Sequence, residues 1–164
     1  FWPPRRESFI VTRYLSPCVS LEDLCWIWKE KRPGAKLKKR IIIKVAEMVR
    51  AMHDAGVNHR DCYICHFLLK LPYDPHGDDL KISIIDLHRS QIRREVPTRW
   101  RDKDLVALYF SSLDMGLTRK DYFLFLKHYF RMPLREILSS ESKFFVKLEQ
   151  KTRKIKNHTQ KWNL

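Results

Sequence analysis

Apolar side chains recur every three or four residues between Lys36 and Ala55, the spacing of one face of an α-helix. These positions are Ile41, Ile42, Val45, Met48, Val49 and Met52. Gly56 follows, and glycine readily adopts the left-handed backbone that ends a helix. The pattern therefore predicts a buried amphipathic helix that ends before Gly56 and holds the next residues at the edge of the core.

Two short apolar runs, Phe67 to Leu71 and Leu80 to Ile85, follow this helix. Short apolar runs of this length, bounded by turn residues, are typical of strands. The segment between them, residues 72–79, is rich in Pro, Asp and Gly, which favour turns. The pattern predicts an antiparallel hairpin, with Asp61 before its first strand and Asp86 after its second, so both carboxylates lie at the open end.

Most of the remaining chain has helical patterns. The predicted helices are one capped by Ser20, one capped by Asp102 or Asp104, one opened by a Thr118–Asp121 capping box and one over Ser142–Trp162. Residues 8–12 are apolar and β-branched, which indicates a strand. The fold class expected is α+β, mainly helical, with one small antiparallel hairpin.

Composition limits the possible partners. The 164 residues suffice for one domain with a core, and 33 Lys plus Arg against 19 Asp plus Glu give a net charge of +14. Such a charge favours a phosphorylated substrate, a nucleic acid or an anionic membrane surface. No signal layout is present, and no apolar run is long enough to span a bilayer, so a soluble protein with reduced cysteines is expected.

The candidate chemistry centres on His59, Arg60 and Asp61, which lie between a helix and a strand, and on Asp86 after a second strand. This is the order of parts in the catalytic half of a kinase. Phosphoryl transfer needs one carboxylate beside the attacking hydroxyl and another that holds a metal on the phosphates. Protein kinases carry Asn where this chain has His66, which points away from protein kinases proper.

Three strings extend this interpretation. They are HRDCYICHFLL at His59 to Leu69, IDLHR at Ile85 to Arg89, and RWRDKDL at Arg99 to Leu105. In these strings the chain closely resembles the lipopolysaccharide core heptose(I) kinase family, a group related to the Kdo kinases. The likeness runs from about Ser8 to Lys161.

The resemblance implies the larger, C-terminal lobe of the protein-kinase-like fold at residues 16–164, with residues 1–15 as the end of an N-lobe strand and the hinge. It implies ATP- and Mg²⁺-dependent phosphorylation of the first heptose of the lipopolysaccharide inner core, at the cytosolic face of a Gram-negative inner membrane. The N-lobe with its phosphate-covering loop has no room before residue 9. A fragment with little or no turnover of its own is therefore expected.

The same resemblance assigns roles to residues. Asp61 orients the sugar hydroxyl and accepts its proton, while Asp86 binds the metal. His66 either helps to bind the metal or hydrogen-bonds a phosphate. The hinge residues that meet the adenine are Arg13, Tyr14 and Leu15. The supporting residues are His59, Arg60, His88, Arg89, Asp102 and Asp104. Of these, His88 and Arg89 either contact a phosphate or the sugar or have a purely structural role.

Several alternatives stay open from the residues alone. Cys62 and Cys65, flanked by histidines, allow a zinc site, although buried thiols without metal are favoured. The final helix either docks on its own domain or lies with its basic face on an anionic membrane. The rival function is a non-catalytic module that binds acidic glycolipid or an acidic carrier protein. No nucleic-acid partner is expected, because no reading motif is recognisable.

Overall fold

The computed structural model describes residues 14–31, 33–77 and 79–162, with the backbone alone for residues 29, 152 and 154–162. The helices are α1 (Leu21–Glu30), α2 (Ala35–Asp54), α3 (Thr98–Ser111), α4 (Arg119–Phe130), α5 (Leu134–Ser140) and α6 (Ser142–Trp162). The strands are β1 (Cys18–Ser20), β2 (Val57–Asn58), β3 (Phe67–Lys70), β4 (Ile82–Ile84) and β5 (Gln91–Ile92). The strand predicted at residues 8–12 lies outside the described residues.

Helix α2 runs through the core. Its buried face includes Ile41, Val45 and Val49, and α4 packs along it. Gly56 follows the helix with φ of 77°, a conformation that costs glycine little. The predicted helix and its left-handed termination are confirmed.

The strands form a small sheet beside the helices. β3 and β4 pair antiparallel, with Phe67 opposite Ile84, so the predicted hairpin is confirmed. β1 pairs with the other edge of β3 and completes a three-stranded sheet in the order β1-β3-β4, which was not predicted. A separate pair, β2 and β5, lies directly before and after the candidate site in sequence.

Helix α3 begins earlier than predicted. It starts at Thr98, with Pro97 at the N-cap position, and neither Asp102 nor Asp104 caps it. Both carboxylates are buried instead, at 2% and 0% exposure. The prediction of an acidic cap was wrong because the two carboxylates do not accept from the N–H groups that begin α3. Asp104 accepts from the His59 and Arg60 N–H groups, and Asp102 accepts from Lys147.

The other helix ends follow their sequence signals. The Ser20 hydroxyl accepts from the Asp23 N–H, and Thr118 and Asp121 form the predicted capping box. α6 is a helix as predicted, and Phe144 is buried where this helix meets the core. The first half of α6 therefore docks on its own domain. No helix in the described part of the chain is long and apolar enough to cross a membrane.

Candidate active site

The open end of the β3–β4 hairpin joins the two sequence segments that carry the candidate carboxylates. His59 Nε2 lies 3.0 Å from the Ile85 carbonyl oxygen, and the Ile85 N–H donates to the His66 carbonyl at 3.0 Å. The loop that carries Asp61 is thus fastened to the strand that ends before Asp86. As expected, the hairpin brings both segments to one edge.

Asp104 holds the backbone of the Asp61 loop. Its side chain is fully buried and accepts from the His59 N–H at 2.7 Å and from the Arg60 N–H at 2.8 Å. Arg60 has φ of 76°, a left-handed conformation that is rare for arginine. Strained backbone of this kind persists where the surroundings enforce it, and functional loops are typical places. The supporting position expected for Asp104 fits this geometry.

His66 lies between the two candidate carboxylates. Its Nδ1 is 2.8 Å from the Asp61 carbonyl oxygen, and its Nε2 is 3.3 Å from Asp86 Oδ2. The ring also stacks on His59, with centroids 5.5 Å apart. A neutral imidazole that donates from Nδ1 carries no proton on Nε2, so Nε2 is an acceptor. In His66 this acceptor faces the Asp86 carboxylate oxygen, which is also an acceptor. Two acceptors this close require a proton or a cation between them.

Asp86 is arranged as an accessible anion. Its side chain is 40% exposed, and its backbone is left-handed, with φ of 64°. The hydrogen bond from His88 Nδ1 to Asp86 Oδ1, 2.5 Å long, lowers the pKa of this carboxyl group below its usual value. Asp86 is therefore ionised at neutral pH and open to a ligand.

Arg89 pairs with Asp61. Its Nη1 lies 3.0 Å from Asp61 Oδ1 and 2.9 Å from Oδ2, and the Asp61 side chain is 15% exposed. The guanidinium belongs to the segment just after Asp86, so it adds a second link between the two loops. Sequence reasoning named Arg89 as a supporting residue without naming its partner.

Among the side chains brought together here, Asp86 and His66 are the pair that could hold a cation. Mg²⁺ prefers oxygen ligands and keeps several waters, so one protein carboxylate plus substrate phosphates commonly suffices. Asp86 Oδ2 suits such an ion, whereas His66 Nε2, 3.3 Å from it, offers a nitrogen that Mg²⁺ binds less readily. No group of three or more His, Cys, Asp or Glu side chains suited to a metal occurs among the described residues.

Other predicted site residues lie apart from this arrangement. Asp102 belongs to a separate network, in which it accepts from Arg101 and from Lys147. Arg101 in turn donates to Glu141. Tyr14 is 86% exposed and Leu15 is 43% exposed. Arg13 lies outside the described residues, so the hinge role of all three stays a prediction.

The two cysteines of the loop differ in burial. Cys62 is fully buried, and burial raises the pKa of its thiol well above the usual value. Cys65 is partly buried, and burial also raises the pKa of its thiol. The full burial of Cys62 fits the buried-thiol interpretation.

Sequence reasoning missed the support behind Asp104. His53 Nε2 lies 3.2 Å from Asp104 Oδ2, and His53 Nδ1 lies 2.7 Å from the Tyr129 hydroxyl. His53 follows Val49 by four residues and so continues the apolar face of α2. A histidine on a buried helical face was the available signal. Burial raises the Tyr129 pKa far above its ordinary value, so its hydroxyl stays protonated and able to donate.

The helical lobe, the hairpin and the carboxylate loops braced by Asp104 define the C-terminal lobe of a protein-kinase-like fold, and the expected α+β class is confirmed. The sequence matches the Lipopolysaccharide kinase (Kdo/WaaP) family over residues 3–129, and the chain belongs to this family. The resemblance found in the sequence is thereby confirmed.

Curated relatives give a consistent result. The chain is 55% identical over 162 residues to lipopolysaccharide core heptose(I) kinase WaaP of Escherichia coli K12, covering 99% of this chain and 61% of that protein. It is 52% identical over 160 residues to the Pseudomonas aeruginosa protein of the same name, covering 98% and 60%. The chain therefore spans about 60% of the length of these relatives.

A solved structure titled WaaP in complex with acyl carrier protein is also similar. The TM-score is 0.81 and the sequence identity is 53%, over 86% of this chain and 58% of that chain.

Proposed function

We propose that this chain forms the catalytic lobe of an ATP-dependent phosphotransferase that acts on the first heptose of the lipopolysaccharide inner core. The observation that carries the proposal is the bridge through His66, which contacts the Asp61 carbonyl and the Asp86 carboxylate at once. The relatives named heptose(I) kinase support the choice of acceptor. Residues 1–15 are proposed to end the N-lobe and form the hinge, with residues 16–164 as the C-lobe.

In the proposed reaction, Asp61 hydrogen-bonds the heptose hydroxyl and accepts its proton. The hydroxyl oxygen bonds to the γ-phosphorus of ATP, the bond between that phosphorus and its bridging oxygen breaks, and ADP leaves. The proton passes from Asp61 to solvent. Because the Asp104 contacts fix the loop backbone, the carboxylate is positioned before the acceptor arrives.

Asp86 is the proposed metal carboxylate, with His66 beside it. Mg²⁺, when bound, neutralises the phosphate charge and helps to align the γ-phosphoryl group. The hydrogen bond from His88 lowers the pKa of Asp86 and so favours its ionised form. Arg89 holds Asp61 through one guanidinium nitrogen, and on this proposal the other lone pairs of the carboxylate accept from the acceptor hydroxyl.

A partner follows from the structural relative and from the interior of the lobe. We propose that an acyl carrier protein binds this chain as one does the WaaP of that structure. The helices form an open apolar pocket of about 270 Å³ whose lining includes Val45, Leu117 and Leu126, and neither Asp61 nor Asp86 lines it. An apolar pocket of this kind suits a fatty acyl chain, and the net charge of +14 suits an acidic carrier.

The carrier proposal is tested by native mass spectrometry of the purified protein after addition of acyl carrier protein with and without its acyl chain. The acylated form should bind more tightly. Leu117→Trp, which fills the pocket from a loop, should remove that preference. Equal binding of both forms would contradict a role for the pocket.

The proposed setting is the cytosolic face of the inner membrane of a Gram-negative bacterium, where the anionic acceptor is anchored. The function is tested by incubating the full-length protein with ATP, Mg²⁺ and inner-core lipopolysaccharide. Mass spectrometry should detect one added phosphate on the first heptose, and an acceptor that lacks heptose should stay unmodified. Phosphate on another sugar, or none with a folded protein, would refute the proposal.

A further inference from the structure

Four cations surround one tryptophan at the start of α3. The guanidinium carbons of Arg60, Arg93 and Arg99 lie 5.4, 5.7 and 5.3 Å from the Trp100 ring centroid, and Lys103 Nζ lies 5.5 Å from it. One cation over an indole is favourable, but four around the same ring repel one another. We call these five residues the Trp100 cluster.

No acid neutralises the cluster. Within the described residues, none of its four cations forms an ion pair with a carboxylate. Arg93 donates to the side-chain amide oxygens of Asn58 and Gln91, which carry no charge. The Nε of Arg60 is buried and has no hydrogen-bond partner. A concentration of unpaired positive charge is left beside the ring.

The position of the Trp100 cluster at the N-terminus of α3 adds to its excess of positive charge. Helix N-termini carry partial positive charge and favour acidic residues, as in α1, where Glu22 and Asp23 occupy the first turn. The first turn of α3 has no acid and no side-chain cap, and it carries Arg99. Local electrostatics this unfavourable, without compensation inside the fold, is expected where a ligand supplies the missing charge.

Along the chain, the cluster adjoins the proposed acceptor base. Arg60 contacts Trp100 through its side chain, and the next residue is Asp61. The Arg60 N–H donates to Asp104, which fixes the backbone between Arg60 and Asp61. The member of the cluster that lies in this loop is thus one residue from the proposed acceptor base.

We propose that the Trp100 cluster binds an acidic substituent, a carboxylate or a phosphate, of the sugar acceptor and so positions the hydroxyl at Asp61. Guanidinium groups recognise both anions through paired hydrogen bonds. The identity of the acceptor rests on the proposed function, whereas anion binding by the cluster does not. The cluster is thus a specificity site for acidic glycans, separate from the nucleotide-binding carboxylate Asp86.

The test measures binding and requires no phosphate transfer. Isothermal titration at fixed salt compares the full-length protein with the variant Arg99→Ala/Lys103→Ala. The probes are acidic inner-core oligosaccharide, the same saccharide with its carboxylates esterified, and the same saccharide dephosphorylated. Two further variants serve as controls: Arg99→Lys/Lys103→Arg keeps the charge, and Lys120→Ala/Arg135→Ala removes the same charge at exposed positions on α4 and α5.

The double alanine variant should bind the acidic saccharide about tenfold more weakly for each side chain removed, because each loses a charge-assisted hydrogen bond. The surface control should bind as the unaltered protein does, and the charge-keeping variant should retain most of the affinity. If the esterified saccharide binds the unaltered protein more weakly, the recognised anion is a carboxylate. If the dephosphorylated saccharide does, it is a phosphate. Thermal melts should show that all variants are folded.

Binding of the acidic saccharide within twofold by the folded double alanine variant would overturn the proposal. Parallel titrations use phosphatidylglycerol vesicles and acyl carrier protein. If the variant lost binding to either of these while keeping the saccharide, the cluster would belong to another partner and the proposal would be overturned. Asp61→Asn should bind the saccharide normally. If Asp61→Asn still transferred phosphate, the proposed function would fail while the anion site stood.

Discussion

The carboxylate of Asp104 should be a large single contributor to the stability of the Asp61 loop, and Asp104→Asn tests this with almost no change in shape. The side chain has no exposed surface, and its two oxygens accept from consecutive backbone N–H groups at 2.7 and 2.8 Å. An asparagine can offer one oxygen. Its amide nitrogen must then face the other N–H, so one buried backbone donor is left without a partner.

The expected loss follows from these contacts. A hydrogen bond to a charged acceptor contributes roughly 1.5–3 kcal/mol, and an unsatisfied buried donor costs about 1–3 kcal/mol. These terms overlap, so Asp104→Asn should lower the free energy of unfolding by about 3 kcal/mol. Because His59 and Arg60 supply the two donors, the displaced backbone adjoins Asp61, and phosphate transfer should fall as well.

Urea unfolding followed by circular dichroism measures the change. The matched control is Asp114→Asn, an exposed aspartate beyond the end of the same helix, which should change the free energy by less than about 0.5 kcal/mol. If Asp104→Asn were as mild as the control, the bracing role assigned to Asp104 would be wrong. Retained stability with lost activity would instead show that the carboxylate acts on the chemistry alone.

Two further predictions concern the rest of the lobe. Gly56→Ala should destabilise the protein by at least about 2 kcal/mol, because φ is 77° and an added Cβ would lie 1.9 Å from the Arg93 carbonyl oxygen. Gly34→Ala, at the N-cap of α2 with open space around it, should cost less than about 1 kcal/mol by urea unfolding, and equal effects would refute the argument. Burial, and secondarily Glu22, raises the pKa of Cys25 to about 11, so peptide mapping should find this thiol unalkylated by iodoacetamide at pH 7.5 in the folded protein. Alkylation at the rate of the urea-unfolded protein would contradict this.

The features that sequence reasoning predicted are those encoded within a few residues. The α2 periodicity, the Gly56 termination and the Thr118–Asp121 capping box each depend on neighbours at most four positions apart. The hairpin was predictable because a polar turn separates two short apolar runs. The three strings that resemble the heptose kinases named the candidate site residues.

The contacts that sequence reasoning missed join residues that are far apart in the sequence. β1 has only three residues, and it becomes a strand because β3 offers an unpaired edge. Arg89 reaches Asp61 across 28 positions, and His53 reaches Asp104 across 51. The start of α3 was misassigned because Asp102 and Asp104 resemble capping residues locally, whereas their acceptors are used in the core. Local patterns carry no information on such partners.

The most direct test of the central claim is transfer of radiolabelled γ-phosphate from ATP to inner-core lipopolysaccharide by the full-length protein and its Asp61→Asn and Asp86→Asn variants. Each variant should lose transfer by about a hundredfold or more, since one removes the general base and the other the metal carboxylate. Lipopolysaccharide binding should persist, and Asp114→Asn should behave as the unaltered protein does. Transfer within about tenfold of normal by either folded variant would contradict the assignment of Asp61 and Asp86 as the catalytic pair.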